Sequence, residues 1–226
     1  IQANDTESLR KAMYVNGMNE DESEGASSTQ QKNLLFFQME SWSAEPFLYQ
    51  SPAFDVLGRL QPTLSDACHF SNFDSSQGGT HPTLEAILFS TPITPLTTGP
   101  EGKSPLPWSI PLLMKQAGYE TVFITSGRSG WRDMNRVMKT QGFDEIVDAI
   151  TLQQAYPEAE LGIWGVWDSY AFKYLEQRLK NNNSGKPLFA FVMTMTNHPP
   201  YDLPPDYQRK KLDMSQWGGE RNSKDL

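Results

Sequence analysis

Residues 34–39 of the chain read LLFFQM, a nearly continuous apolar run of strand length. Such a run is typical of a parallel strand covered on both faces, and we therefore expect a central strand here. The run ends abruptly at Glu40. Because ligands of open α/β sheets bind off the carboxyl ends of the strands, a carboxylate at this point is placed for chemistry. A helix cap or a surface acid is the alternative interpretation of Glu40.

Further segments along the chain alternate between strand and helix character. Apolar runs predict strands at residues 119–125 and 188–195, a short edge strand at 143–148, and helices at 110–116, 133–141 and 168–180. A helix at 53–60, a short strand at 68–73 and an irregular, proline-rich segment at 91–108 complete the prediction. Strands that alternate with helices favour an α/β fold with a parallel sheet and right-handed crossovers.

A glycine-rich turn precedes a predicted helix that has Pro82 in its first turn. Gly78 and Gly79 are expected to adopt backbone angles closed to other residues and to let a ligand approach the chain. Thr80 would then lie at the start of the helix, where free backbone N–H groups and the helix dipole favour an anion. The turn is therefore either a helix cap without chemistry or the site of a nucleophilic hydroxyl.

Polar side chains suited to a site follow each of the three long apolar strands. They are Glu40 after the first strand, Arg128, Trp131 and Arg132 after the second, and Asn197 and His198 after the third. Glu40 offers a hard oxygen ligand to a divalent cation, and such a cation can make the Thr80 hydroxyl nucleophilic near neutral pH. His198 would donate a hydrogen bond to phosphate oxygens or protonate a leaving group.

Composition narrows the class of protein. The 226 residues are enough for one sizeable α/β core. A net charge of −8 and a pI near 4.9 argue against a nucleic-acid binder. No apolar run approaches the roughly 20 residues that cross a bilayer, and a single cysteine, Cys68, excludes an internal disulfide. Residues 1–32 are polar and predict a solvated linker before a globular domain at 33–226.

Five segments resemble the lipoteichoic acid synthase and phosphoglycerol transferase group of the alkaline phosphatase and sulfatase superfamily. Residues 33–41, NLLFFQMES, resemble the first strand of this group with its metal-binding glutamate, and residues 78–80, GGT, resemble its nucleophile turn. Residues 118–144 are similar to the segment that helps to bind a glycerophosphate head group. Two further blocks, residues 164–168 and 186–204, extend the resemblance over most of the chain.

The resemblance implies a three-layer αβα sandwich with a mostly parallel central sheet, as in alkaline phosphatase. It also implies that Glu40 and Thr80 bind a divalent metal, Mn2+ or Mg2+ in the first place and Zn2+ as a further option. Thr80 would in addition be the nucleophile. The reaction would move phosphoglycerol from a phospholipid to a glycan or polyol acceptor through a phospho-threonine intermediate.

The same resemblance assigns the head group of the lipid to Trp131, Arg132 and His198, with Arg128 and Asn197 as neighbouring contacts. It further implies a place in a bacterial cell envelope, on the periplasmic or extracellular face. The protein would be anchored in the membrane through segments absent from this chain, and it would bind no nucleic acid.

The sequence departs from this group in two ways. Members of the group take their remaining metal ligands from a later Asp-His motif, and no Asp-His pair occurs in this sequence. Because catalytic ions need four to six ligand atoms, we expect the chain to be the N-terminal part of the catalytic domain, with weak metal binding and little or no activity. The loop at residues 128–132 also differs, since acidic or amide residues are frequent there in relatives.

Three rival functions remain open at this point. A sulfatase or a phosphodiesterase of the same superfamily is the nearest, because residues 80–84, THPTL, partly match the sulfatase signature Cys/Ser-x-Pro-x-Arg. However, threonine cannot become formylglycine, and Leu84 stands where the signature has arginine. Phosphoethanolamine transferases also use a threonine but usually carry several disulfides. A non-catalytic ectodomain that binds lipid or a partner protein is the alternative from another class.

Overall fold

The computed structural model describes residues 31–68, 70, 73–75, 77–91, 95–205 and 207–208. The predicted linker at residues 1–32 lies outside these residues except for its last two positions. Within the described part, secondary structure begins with the first strand, at Leu34.

Four parallel strands form one sheet. They are β1 (Leu34–Gln38), β2 (Glu120–Thr125), β3 (Glu145–Val147) and β4 (Leu188–Met193), and their order across the sheet is β1-β4-β2-β3. Each neighbouring pair is parallel and in register, with Phe36 and Phe123 both opposite Phe191. The carboxyl ends of all four strands therefore lie along one edge of the sheet, which confirms the predicted parallel arrangement.

Helices cover both faces of this sheet. They are α1 (Glu45–Tyr49), α2 (Thr80–Phe89), α3 (Ile110–Gln116), α4 (Met134–Thr140), α5 (Ala149–Ala155) and α6 (Asp168–Lys180), with 3-10 helices at Gly58–Asp66, Glu101–Lys103 and Trp131–Asp133. Buried residues of α2 and α4 pack on one face of the sheet, and those of α5 and α6 pack on the other. The three-layer αβα architecture expected from the sequence is confirmed.

The two faces of the sheet differ in the size of their side chains. Because side chains alternate along a strand, β4 presents Phe189 and Phe191 to the face of α2 and α4 but Ala190 and Val192 to the face of α5 and α6. Phe191 stacks on Phe36 at a centroid distance of 4.8 Å, and it contacts Phe123 at 6.1 Å. This aromatic row joins β1, β4 and β2 on the side of the sheet that carries α2.

The prediction that β1 is a central strand covered on both sides is wrong for the described part of the chain. Among the described residues, β1 pairs only with β4. Its residues Leu34, Leu35, Phe36 and Phe37 are 39–42% exposed, whereas every residue of β4 is buried. An apolar run indicates that both faces of a strand can be buried. It does not indicate whether another strand pairs with each of its two edges. β1 is accordingly an apolar edge strand, a kind of surface that folded proteins usually cover or charge.

Other local predictions were also wrong. The helix expected at 53–60 is absent, and the chain there forms bends followed by the 3-10 helix Gly58–Asp66. The strand expected at 68–73 is not formed by Cys68, Phe70 or Phe73, and its other residues lie outside the described part. The prediction also missed the helix α5. Asp148 caps α5, because its Oδ1 accepts hydrogen bonds from the backbone N–H groups of Ile150 and Thr151.

Asp148 provides a test of this part of the fold. Its Oδ2 accepts hydrogen bonds from the backbone N–H and the hydroxyl of buried Ser129. Burial raises the pKa of Asp148, but the hydrogen bonds from Ser129, Thr151 and Ile150 outweigh burial and hold it below the ordinary value. Asp148→Ala is expected to lower the free energy of unfolding by about 1–3 kcal/mol, measured by urea unfolding at pH 7.

The pH dependence follows from the direction of that shift. A lowered pKa means that the carboxylate stabilises the fold above its ordinary pKa near pH 4 and ceases to do so as the pH falls through the folded-state value. The difference between wild type and Asp148→Ala should therefore shrink in acid. Glu176→Ala, which removes an exposed acid on α6, serves as the control and should change stability by less than about 0.5 kcal/mol. Equal effects of the two variants at pH 7 would contradict this account.

Candidate functional site

Glu40 lies just beyond the end of β1 and is held there by residues that follow β4. Its backbone N–H donates to Thr194 Oγ1 at 2.8 Å. Asn197 Nδ2 donates to the backbone carbonyls of Glu40 and Ser41, at 3.2 and 3.1 Å. Glu40 is only 7% exposed. The pairing of β1 with β4 thus fixes the backbone at Glu40 and connects it with Asn197, another of the predicted site residues.

Thr80 is in direct contact with Glu40. Thr80 Oγ1 donates to Glu40 Oε2 at 2.6 Å, across 40 residues of sequence. The second carboxylate oxygen, Oε1, accepts a hydrogen bond from Ser41 Oγ at 3.0 Å, and Gln38 Nε2 donates to the backbone carbonyl of Thr80 at 2.8 Å. The end of β1 and the start of α2 are therefore joined by two hydrogen bonds, and the hydroxyl and carboxylate singled out from the sequence lie side by side.

Burial of two leucines further along α2 fixes the position of Thr80. Leu84 and Leu88, one and two turns later, are fully buried between the helix and the sheet. Full burial of each leucine stabilises the docked helix by roughly 2 kcal/mol. As the first residue of α2, Thr80 also lies beside the free backbone N–H groups of the helix N-terminus.

One of the two reasons predicted for the glycines in the turn, backbone angles closed to other residues, is wrong. Gly79 has φ 162°, which is extended backbone, and Gly78 is not in the left-handed region either. A side chain at Gly78 would meet no atom within 4 Å, and one at Gly79 would meet only Pro82, at an ordinary contact distance. The space beside the two glycines is therefore open, and the approach of a ligand to the turn stays a prediction.

The loop after β2 brings two of its three predicted site residues together. The guanidinium carbon of Arg132 lies 4.9 Å from the centroid of the Trp131 ring, which is a cation–π distance. Trp131 is 54% exposed. Arg132 and Asp133 both have left-handed backbone angles, φ 52° and 58°, a conformation that non-glycine residues rarely adopt. Arg128 is exposed, and within the described part of the chain its side chain forms no hydrogen bond or ion pair.

His198 lies in the loop after β4, against an aromatic ring that the sequence-based interpretation did not single out. The centroids of the His198 and Trp164 rings are 3.8 Å apart. His198 Nδ1 is 3.0 Å from the carbonyl of Pro199, and Trp164 Nε1 donates to the same carbonyl at 2.8 Å. Because a carbonyl only accepts hydrogen bonds, Nδ1 carries the proton in this contact and Nε2 faces away from it. Trp164 and His198 line a small surface cleft together with Met195 and Asp202.

Asp168 connects the loops that carry the site, and sequence reasoning did not find this role. The carboxylate accepts hydrogen bonds from the backbone N–H groups of Met195 and Thr196, at 2.8 and 2.9 Å, and from the Ser126 hydroxyl. The backbone N–H of Asp168 donates to Thr196 Oγ1. An acid at the first position of α6 was visible in the sequence, but its partners are distant in sequence and could not be predicted.

His81, next to Thr80, is the second residue whose role the sequence did not reveal. It is 2% exposed and contacts Thr97 Oγ1 through Nε2, at 3.0 Å. Burial lowers its pKa below the ordinary value, although the Glu85 carboxylate acts in the opposite direction. The ring is therefore neutral at neutral pH. It meets the Trp131 ring edge-on, at a centroid distance of 5.1 Å and an interplanar angle of 87°.

Glu40 and Thr80 offer the kind of donor atoms that a hard divalent cation binds. Two side chains, however, are fewer ligands than such a cation needs. A carboxylate and a hydroxyl are oxygen ligands of the kind that Mg2+ and Mn2+ prefer. Among the residues that the structure describes, however, no group of three or more His, Cys, Asp and Glu side chains could hold an ion. A metal at this site would need ligands beyond the described residues.

These features define an α/β protein with a hydroxyl and a carboxylate at the carboxyl edge of a parallel sheet. The family model for sulfatases matches residues 32–223. The chain belongs to the sulfatase family. This confirms the superfamily that the sequence resemblance indicated.

Solved structures share the fold at low sequence identity. A protein of the alkaline phosphatase superfamily from Vibrio parahaemolyticus matches 82% of this chain with a TM-score of 0.63 and 24% identity, and 46% of that protein is covered. The lipoteichoic acid synthase LtaP from Listeria monocytogenes matches 81% of the chain with a TM-score of 0.60 and 24% identity, with 45% of its length covered.

The phosphoglycerol transferase GacH from Streptococcus pyogenes, solved with sn-glycerol-1-phosphate, also has this fold. It matches 78% of the chain with a TM-score of 0.56 and 17% identity. Only 47% of GacH is covered, so the chain spans less than half the length of each of these structures. Within the described residues, no helix is long and apolar enough to cross a membrane.

The role of Asp168 leads to a stability prediction. Asp168→Ala would leave the N–H groups of Met195 and Thr196 and the hydroxyl of buried Ser126 without their acceptor. Its free energy of unfolding should fall by about 2–4 kcal/mol, measured by chemical denaturation. Ser169→Ala, at an exposed neighbouring position, is the matched control and should change stability by less than about 0.5 kcal/mol. A loss no larger than that of the control would show that Asp168 does not hold these loops.

Proposed function

We propose that the protein is a metal-dependent transferase that moves phosphoglycerol, or a similar phospho-alcohol, from a phospholipid to a glycan or polyol hydroxyl. The observation that carries this proposal is the 2.6 Å contact between Thr80 Oγ1 and Glu40 Oε2 at the N-terminus of α2. Family membership supports transfer chemistry at this edge of the sheet, and neighbours of the same fold include a phosphoglycerol transferase and a lipoteichoic acid synthase.

The first step forms a covalent intermediate on Thr80. The Thr80 hydroxyl oxygen attacks the phosphorus of the lipid phosphodiester, and the bond from phosphorus to the diacylglycerol oxygen breaks. Diacylglycerol leaves with a proton, while glycerophosphate remains on Thr80 as a phosphodiester. Glu40 Oε2, which accepts the hydrogen bond from Thr80 Oγ1, faces the proton that the hydroxyl must lose. The backbone N–H groups at the start of α2 stabilise negative charge on the phosphate oxygens.

The second step releases the product. The acceptor hydroxyl attacks phosphorus, the bond between phosphorus and Thr80 Oγ1 breaks, and the Thr80 hydroxyl is regenerated. His198 would serve here or in the first step, since Nε2 points away from the Pro199 carbonyl that holds Nδ1. In its protonated form, Nε2 can donate to a phosphate oxygen or to the leaving oxygen.

The metal would be held by Glu40 and Thr80 together with ligands outside the described residues. When bound, Mn2+ or Mg2+, or else Zn2+, lowers the pKa of the hydroxyl that it contacts. Because the described residues supply only two donors, we expect the chain by itself to bind metal weakly and to show little or no turnover.

Contacts to the head group are proposed for the loops that surround Thr80. Arg132 carries the positive charge that a phosphodiester requires, and Trp131 offers an exposed ring beside it. Asn197 and His198 belong to the loop after β4, and Arg128 is a further exposed cation in the loop after β2. In the full-length protein, we propose that this site faces the outside of a bacterial cell membrane, to which segments beyond this chain attach it.

A non-catalytic ectodomain that binds lipid or a partner protein is the second candidate. The observation that favours it is the shortage of metal ligands among the described residues. Sulfatase chemistry has less support, because that reaction uses formylglycine and Thr80 stands at the nucleophile position. The transferase and the binding protein differ in one measurable property, which is covalent turnover at Thr80.

Substitution of Thr80 in the full-length protein tests the proposal. Thr80→Ala should reduce transfer of labelled glycerophosphate from phosphatidylglycerol to below about one thousandth of the wild-type rate, because it removes the oxygen that attacks phosphorus in the proposed first step. Its free energy of unfolding should change by less than about 1 kcal/mol, since alanine is a good helix former.

Thr83→Ala is the matched control for Thr80→Ala. Thr83 lies on the same helix, and its hydroxyl bonds to Ser75 rather than to the site. This variant should keep most of the wild-type activity. Retained transfer by Thr80→Ala, or equal losses in both variants, would rule out Thr80 as the nucleophile.

A further inference from the structure

His81 is a buried polar residue for which the proposed chemistry has no use. Its ring lies against the sheet side of α2, with Nε2 on the hydroxyl of fully buried Thr97. Nδ1 has no hydrogen-bond partner among the described residues and lies 3.8 Å from Glu85 Oε1. A buried, unsatisfied nitrogen is unfavourable, and an apolar residue would avoid this penalty. The polar ring therefore calls for an explanation other than core packing.

The network around His81 fixes the plane of its ring. Glu85 Oε1 accepts a hydrogen bond from the backbone N–H of Thr97 at 2.7 Å, while the Thr97 hydroxyl contacts His81. Thr97 is thus held from two directions, by residues one turn apart on α2. With its Nε2 fixed in this way, the ring of His81 has little freedom to rotate.

The ring of His81 is in contact with the loop after β2, which carries Trp131 and Arg132. Trp131 meets it edge-on at 5.1 Å, and Arg132 lies over Trp131 at 4.9 Å. Edge-to-face packing of aromatic rings is specific in geometry as well as favourable. Arg132 and the residue after it have left-handed backbone angles. Such angles persist only where the surroundings enforce them, and the His81 ring is a buried support on which Trp131 rests.

We propose that His81 is a positioning residue, which holds Trp131 and through it Arg132 at a fixed separation from the Thr80 hydroxyl. His81 follows Thr80 directly at the start of α2, so a single helical turn carries both the nucleophile and the support for the anion-binding pair. His81 touches neither the phosphate nor the acceptor. Its contribution is to the binding of the glycerophosphate head group rather than to the chemical step.

Two variants of His81 isolate the ring contact. His81→Leu fills the buried space without a ring, whereas His81→Phe keeps a ring that can meet Trp131. Both variants lose the hydrogen bond to Thr97, so they differ mainly in the contact under test. The proposal rests on the proposed function, and the full-length protein is therefore used, with sn-glycerol-1-phosphate as the probe in calorimetric titrations and phosphatidylglycerol as the substrate in kinetics.

His81→Leu should raise the Kd for sn-glycerol-1-phosphate and the KM for the lipid by about 3- to 10-fold, which is the range expected for an edge-to-face aromatic pair. Its kcat should stay within about 2-fold of wild type, and His81→Phe should recover most of the loss in binding. In a Trp131→Ala background, His81→Leu should cause no further change, because it acts through Trp131. Asn135→Ala, at an exposed position of α4, controls for general effects on this region.

Equal effects of His81→Leu in the presence and absence of Trp131 would overturn the proposal, as would an unchanged Kd. If His81→Leu does not fold, Thr97→Val replaces it, since it releases Nε2 and lets the ring tilt away from Trp131; an unchanged Kd in that variant also overturns the proposal. A different result would contradict the proposed function itself, namely transfer activity in the Thr80→Ala protein. An inactive Thr80→Ala together with normal binding by His81→Leu would reject only the role of His81.

Discussion

The hydrogen bond from Thr80 Oγ1 to Glu40 Oε2 depends on most of the described fold. It requires β1 to end beside β4, so that Thr194 and Asn197 can hold the backbone at Glu40. It also requires α2 to dock through Leu84 and Leu88, so that its first residue reaches the end of β1. A carboxylate that is almost entirely buried and accepts two hydroxyl hydrogen bonds would be a poor choice for packing alone. Under the proposed function, the arrangement is a site for a cation and a nucleophile.

The sequence predicted which polar residues would lie at the ends of the strands because that information is local. Apolar runs that end in polar residues identify strand ends, and parallel strands bring such ends to one edge. The positions of Glu40 and Asn197 follow from this rule, whereas Thr80 was singled out by the glycine-rich turn and the helix that it begins. The contacts of His81 and Asp168 do not follow from the rule, because each depends on partners 16 to 50 residues away. The turn at Gly78 and Gly79 was predicted to have unusual backbone angles and to let a ligand approach, and the structure contradicts the first of these predictions.

β1 shows a different limit of sequence reasoning. Its composition is that of an interior strand, yet its side chains are about 40% exposed on a free edge within the described part of the chain. Glu40, one of the two proposed metal ligands, lies just beyond the carboxyl end of this same strand. A single additional strand along β1 would cover the apolar side chains and would bring new residues next to Glu40. Under the proposed function, we expect the remaining metal ligands to enter from this side.

The central claim is that the Thr80 oxygen becomes covalently bonded to phosphorus during turnover. The most direct measurement is mass spectrometry of the full-length protein, quenched with acid after mixing with phosphatidylglycerol and Mn2+ in the absence of acceptor. The account predicts a mass increase of one glycerophosphate, located on the peptide that contains Thr80 and lost when acceptor is added. Steady turnover without this adduct, or an adduct on another residue, would contradict it.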